Sequence, residues 1–189
     1  MDRLSTLIAA AALACACNSG DRGRGDVRSR ADSVKAKPTQ KADVAAMCDR
    51  YYKAGDAPTF TWPKTVTPPP AATGRWRWIN VWATWCHPCV EEIPRLLSWR
   101  KQLNVDLVFL SADDSDEPVA AFHAKHPDMP DGPRLADPDA VPTWIQSLGV
   151  KGVSLPIHIF VDGNNRLRCV RASGIDENDR PAVRTLLRF

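Results

Sequence analysis

The chain has 189 residues, six of them cysteine, and 25 Lys and Arg against 22 Asp and Glu, for a formal net charge of +3. The excess lies in Asn18–Asp43, where seven Lys or Arg face four Asp; Asp2 cancels Arg3, and residues 44–189 are formally neutral. No nucleic-acid partner is therefore expected, since that would need a basic, aromatic-bearing face on the folded part, and no segment carries the roughly 20 apolar residues of a membrane span.

In chain order, Met1-Asp2-Arg3 precedes an apolar run, Leu4–Ala14, after which small residues flank Cys15 and Cys17. About 11 apolar residues are too few to cross a bilayer but suit a signal peptide, so residues 1–17 read as one. Its end resembles a bacterial lipobox, although neither cysteine has a Leu three positions before it. Lipidation is expected at Cys17, where the chain turns polar, with Cys15 as the alternative; ordinary cleavage near Ala16 is the other reading. Residues 18–44 hold almost no large apolar side chain and read as a flexible tether. Its basic charge would favour anionic lipid head groups only weakly.

Residues 45–189 form one domain of about 145 residues, enough to bury roughly 68–70% of the unfolded surface. The pattern predicts a helical piece over Val44–Lys53 and an edge strand over Thr59–Trp62, then a proline-rich loop, Pro63–Ala72. A strand over Trp76–Ala83 leads into a helix, Cys86–Gln102, with Pro94 kinking it. A buried strand follows at Val105–Ser111, a helix at Glu117–Lys125, a short strand at Arg134–Ala136 and a helix at Val141–Leu148. Leu155–Val161 and Leu167–Arg171 pair as a hairpin across Asp162-Gly163-Asn164-Asn165. Asp176–Leu187 is the last helix, with Asp176 as its N-cap. The alternation implies an α/β fold, a mixed central β-sheet flanked by helices on both faces.

The chemistry concentrates in Trp85-Cys86-His87-Pro88-Cys89. Cys86 begins the helix, where unpaired N–H groups and the positive end of the dipole stabilise a thiolate. Such placement lowers a cysteine pKa from about 8.5 to roughly 3.5–7.5. Cys89 lies one turn on, within disulfide reach. Zinc sites share the spacing but need further ligands, and Cys15, Cys17, Cys48 and Cys169 are scattered singly. His123 and His126 sit on a polar helical stretch and read as solvated surface residues. No metal and no cofactor is expected.

The segment Asn80–Pro94, with its WATWCxPCxxExP pattern, resembles the active-site segment of thioredoxin-fold proteins, most of all the TlpA/ResA-type extracytoplasmic thiol–disulfide oxidoreductases. Leu155-Pro156-Ile157-His158-Ile159-Phe160-Val161-Asp162-Gly163 resembles that family's cis-proline strand. The resemblance covers roughly residues 57–189 and implies a thioredoxin fold. It also implies disulfide exchange with thiol- or disulfide-bearing envelope proteins, coupled to a membrane redox donor or acceptor. The setting would be a bacterial cell envelope, with membrane contact through a lipid anchor only.

In that reading Cys86 attacks and Cys89 resolves. Pro156 is cis, and Leu155 offers its backbone to a substrate strand. Trp85 lines the site. His87 beside the thiol either stabilises the thiolate, if charged, or is merely an exposed residue. Thioredoxin carries a buried Asp six residues before the first cysteine; Asn80 stands there and cannot titrate. TlpA/ResA-type proteins carry a Glu three residues after the second cysteine, which is Glu92. A partly buried Glu92 with a raised pKa would shuttle the Cys89 proton. Cys48 and Cys169 remain open: a structural disulfide, two unpaired thiols or a second redox couple. A bond between them would close a loop of about 120 residues, nominally worth some 4–5 kcal/mol. The rivals on the same fold are a copper chaperone, which typically uses CxxxC with a distal His, and a non-catalytic binding module.

Overall fold

The computed structural model describes residues 42–188; the expected signal peptide, Cys17 (or Cys15) and nearly all of the expected tether lie outside them. A short helix α1 (Val44–Met47) is followed by strand β1 (Arg50–Tyr51), strand β2 (Trp76–Trp82), helix α2 (His87–Arg100) and strand β3 (Val105–Ser111). Helix α3 (Asp116–Lys125), a single 3-10 turn at Pro138–Ala140, helix α4 (Val141–Ser147), strands β4 (Ile157–Val161) and β5 (Leu167–Arg171) and helix α5 (Arg180–Leu186) complete it. The strands form one sheet in the order β1-β5-β4-β2-β3. β2 and β3 are parallel, with α2 as the crossover that a parallel pair needs; the other pairs are antiparallel.

β2 lies inside the sheet, between β4 and β3, and is buried from Arg77 to Trp82. That explains why its apolar side chains point to both faces, where a half-exposed strand would alternate. Trp78 stacks on Phe160 of β4 at 5.0 Å between ring centroids and meets Trp99 of α2 at 6.1 Å. Trp82 meets Phe122 of α3 at 4.9 Å. Each such ring buries some 150–250 Å², worth about 4–6 kcal/mol as an upper bound for area removed from water. The Arg77 guanidinium is buried too; desolvation draws its pKa below the ordinary arginine value, and Asp106 opposes the shift.

Several local expectations change. The helix expected over Val44–Lys53 stops at Met47, and the chain turns extended to pair Arg50 with Val170 and Tyr51 with Cys169. Four helical residues, capped by Asp43 through a 3.1 Å bond from the Ala46 N–H, are too few to propagate alone, and the edge of β5 offers long-range partners. α1 thus begins at the last residue assigned to the tether. The strand expected at Thr59–Trp62 is a single bridge, Thr59 to Arg166, because Pro58 and Pro63 close it on both sides and lack a ladder N–H. The strand expected at Arg134–Ala136 is likewise two isolated bridges, Ser111 to Arg134 and Thr65 to Leu135. The last helix starts at Arg180 with Pro181 in its first turn; Asp176 instead accepts the Asn178 N–H in a turn ahead of it. His123 is mostly buried rather than solvated, its ring edge-on to Trp82. No helix among the described residues is long and apolar enough to cross a membrane.

Candidate active site

β2 ends at Trp82, and the chain folds back through Ala83-Thr84-Trp85 into α2. Asp113, just past β3, holds this turn. It is 1% exposed, and its carboxylate accepts the Thr84 N–H at 3.1 Å to both oxygens, the Thr84 hydroxyl at 2.6 Å and the Ser111 hydroxyl at 2.8 Å. The turn delivers Cys86 as the residue flanking α2, with Pro88 in the first helical turn. Cys86 and Cys89 are joined by a disulfide with Cα atoms 5.3 Å apart. Cys86 retains 5% exposure and Cys89 none, so the sulfur reachable by a partner is at the helix N-terminus.

Trp85 is 68% exposed. With Cys86, His87 and Pro88 it forms one wall of a groove of about 660 Å³, whose other wall includes Val141, Pro142, Val153 and Leu155. Asp114 and Asp139 also border it. The His87 ring reaches back along the helix to Glu91, 3.2 Å away, and both are well exposed. The Leu155–Pro156 peptide is cis; Leu155 faces the groove and Pro156 is buried.

Glu92 follows Cys89 by one turn on the buried side of α2. It is 3% exposed, fully rather than partly buried. Its Oε1 accepts from Asn80 Nδ2 at 2.8 Å and its Oε2 from the Ile175 N–H at 3.1 Å. His158 Nε2 stands 3.2 Å from Oε1. That ring nitrogen is off the line of a good hydrogen bond, and among the described residues it and Asn80 Oδ1 are buried without an aligned partner. Two N–H donors thus converge on the buried carboxylate, with the His158 ring nitrogen close by.

The structure therefore brings Cys86, Trp85, His87 and Leu155 to one groove, and Cys89, Glu92 and Pro156 beneath it. Cys48 and Cys169 lie apart from that groove's lining, bonded to each other across the β1 end of the sheet, with Cα atoms 5.6 Å apart. Among the described residues no group of three or more His, Cys, Asp or Glu is arranged to hold a metal ion. Sequence reasoning missed Asp113 and His158. Asp113 had a weak signal, a Ser-x-Asp pattern at a strand end; His158 had none inside an apolar strand.

The Redoxin family matches residues 53–187. The chain belongs to the Redoxin family. Thiol-disulfide oxidoreductase ResA of Bacillus anthracis is 29% identical over 98 residues, 50% of this chain and 53% of that protein. The same protein of a Bacillus cereus strain is 26% identical over 98 residues, with the same coverage of both chains. The chain spans about half the length of these relatives. Among solved structures, a DsbF homologue from Corynebacterium diphtheriae is similar with a TM-score of 0.55 at 20% identity, covering 72% of this chain and 91% of that one. A secreted thiol-disulfide isomerase from Corynebacterium glutamicum gives 0.52 at 18%, covering 74% and 92%. These likenesses establish a thioredoxin-like fold, a mixed five-stranded sheet with helices packed against it.

Proposed function

We propose that this Redoxin-family chain is an exported thiol–disulfide oxidoreductase that works through Cys86 and Cys89. The observation that carries the reading is the placement of the pair: one sulfur at a helix N-terminus beside an open groove, the other buried one turn from a buried carboxylate. In the reduced protein the Cys86 thiolate attacks one sulfur of a substrate disulfide, and the other substrate sulfur leaves as a thiolate. Cys89 gives its proton to Glu92 and attacks Cys86 Sγ, releasing the second substrate sulfur. Two electrons pass from the dithiol to the substrate. The same proton transfer runs backwards in oxidation; in the reductase direction proposed here a membrane redox donor would restore the dithiol.

The partners are envelope proteins bearing disulfides, recognised through exposed Trp85 and the backbone of Leu155. Export is supported by the apolar segment Leu4–Ala14 and by the Cys48–Cys169 bond, which suits an oxidising compartment. Anchoring through Cys17 rests on the lipobox-like sequence. Reduction of insulin by the dithiothreitol-primed protein tests the activity: Cys86→Ser abolishes it, and Cys89→Ser accumulates mixed disulfides. Wild-type rates in Cys86→Ser would overturn the reading.

A further inference from the structure

His158 sits in the middle of an otherwise apolar strand and is fully buried. Its neighbours settle which ring nitrogen carries the proton. The Trp78 indole N–H, which can only donate, points at Nδ1 from 3.1 Å. Asn80 Nδ2 lies 3.5 Å from the same nitrogen. Two donors thus face Nδ1, so Nδ1 carries the lone pair and Nε2 the hydrogen. An imidazolium would set an N–H against the Trp78 N–H in a dry interior, leaving both donors unpaired.

The single N–H that remains, on Nε2, stands 3.2 Å from Glu92 Oε1. It is the third N–H close to the carboxylate, after those of Asn80 and Ile175, and the one of the three that is off the bond line.

We infer that His158 is a positioning residue for Glu92: Trp78 holds it as the Nε2–H tautomer, and its one N–H stands beside the carboxylate that receives the Cys89 proton. His158 does not itself take that proton. The groups that face it are Glu92 from α2 and Trp78 and Asn80 from β2. Arg171, its cross-strand partner on β5, turns its guanidinium away to Asp179 at 2.9 Å. Arg95 approaches only through the Ile175 carbonyl, at 2.6 Å.

The role rests on the proposed proton transfer through Glu92, but the tautomer can be read without any activity. In the reduced full chain with 15N-labelled histidine, NMR should show the His158 ring hydrogen on Nε2 and the lone pair on Nδ1. Trp78→Phe keeps an aromatic ring but removes the donor at 3.1 Å, and the Nδ1 15N resonance should move downfield while Nε2 keeps its hydrogen. An Nδ1–H tautomer in the wild type overturns the inference, as does an Nδ1 resonance unchanged in Trp78→Phe.

The kinetic arm uses an aromatic disulfide whose thiolate absorbs visible light. Cys86 releases one thiolate and Cys89 the second, so the second phase reports resolution. His158→Leu should slow the second phase about tenfold or more while changing the first less than about twofold. His158→Gln, which keeps an N–H near the place of Nε2, should recover most of the rate. An unchanged second phase in His158→Leu, or a Gln variant as slow as Leu, overturns the role. Absence of any first phase in the wild type would instead refute the thiol-exchange reading, with the tautomer result standing.

Discussion

Asp113 and Glu92 are both buried carboxylates, at 1% and 3% exposure, and they bracket the Cys86–Cys89 segment. Asp113 precedes it in space, holding the turn before Cys86; Glu92 follows Cys89 by one helical turn. Their surroundings differ in one respect. Every oxygen of Asp113 is filled by Thr84 and Ser111 with aligned bonds of 2.6–3.1 Å. Glu92 has two aligned donors, and His158 Nε2 lies 3.2 Å from it unaligned. A closed set of donors suits a carboxylate that stays an anion and fixes a backbone turn. An open set, with one nitrogen close but unaligned, suits one that changes its proton count. Burial alone does not separate structure from chemistry here; the state of the neighbours does.

The comparison can be broken most sharply at Glu92. Glu92→Gln keeps shape and one acceptor oxygen but cannot hold the Cys89 proton. The resolving phase should fall by about 100-fold or more, with denaturant stability lowered by less than about 1.5 kcal/mol. A resolving phase within a factor of about three of the wild type would leave Glu92 in the same class as Asp113. The reciprocal change, Asp113→Ala, strands the Thr84 N–H, the Thr84 hydroxyl and the Ser111 hydroxyl. It should lower stability by about 2–3 kcal/mol, or some 5–10 °C in Tm. Both thiolate-release phases should slow together, since the whole Thr84–Cys86 turn loosens. Selective loss of the second phase in this variant would contradict the assigned division of labour.

How much of this could be read in advance depends on how local each feature is. Cys86, Cys89 and Glu92 share one helix, and spacing by three residues puts them along one side whatever else the chain does. The β2-α2-β3 unit is legible for the same reason, as apolar runs joined by one amphipathic helix. β1 is not: two residues, Arg50 and Tyr51, become a strand only because β5 presents an edge there. His158 meets Glu92 only because β4 lies antiparallel to β2 in the register that sets Asn80 opposite His158. That register is a tertiary fact, and Ile157-His158-Ile159-Phe160-Val161 alone reads as any buried strand. Asp113 depends likewise on β3 ending beside the Thr84 turn.

The smallest expected effect lies at Gly174, where the open side of the comparison meets solvent. Gly174 is exposed, and a methyl built on it would lie 3.6 Å from Glu92 Oε2 and 3.9 Å from Pro156 Cγ. Both are ordinary contact distances, and its backbone is not in the left-handed region, so Ala fits there without strain. Gly174→Ala should leave stability unchanged or raise it by up to about 1 kcal/mol, through the lost freedom of the unfolded chain. The added methyl touches both the carboxylate and the cis-proline ring and covers Glu92 further on the side of exposed Gly174. Proton exchange there should slow, and the resolving phase should fall about two- to fivefold, a barrier change of less than about 1 kcal/mol. The first phase should be unaffected, because Cys86 lies on the groove side. Equal slowing of both phases would mean that the methyl moved the Pro156 loop, and that the carboxylate exchanges its proton by another route.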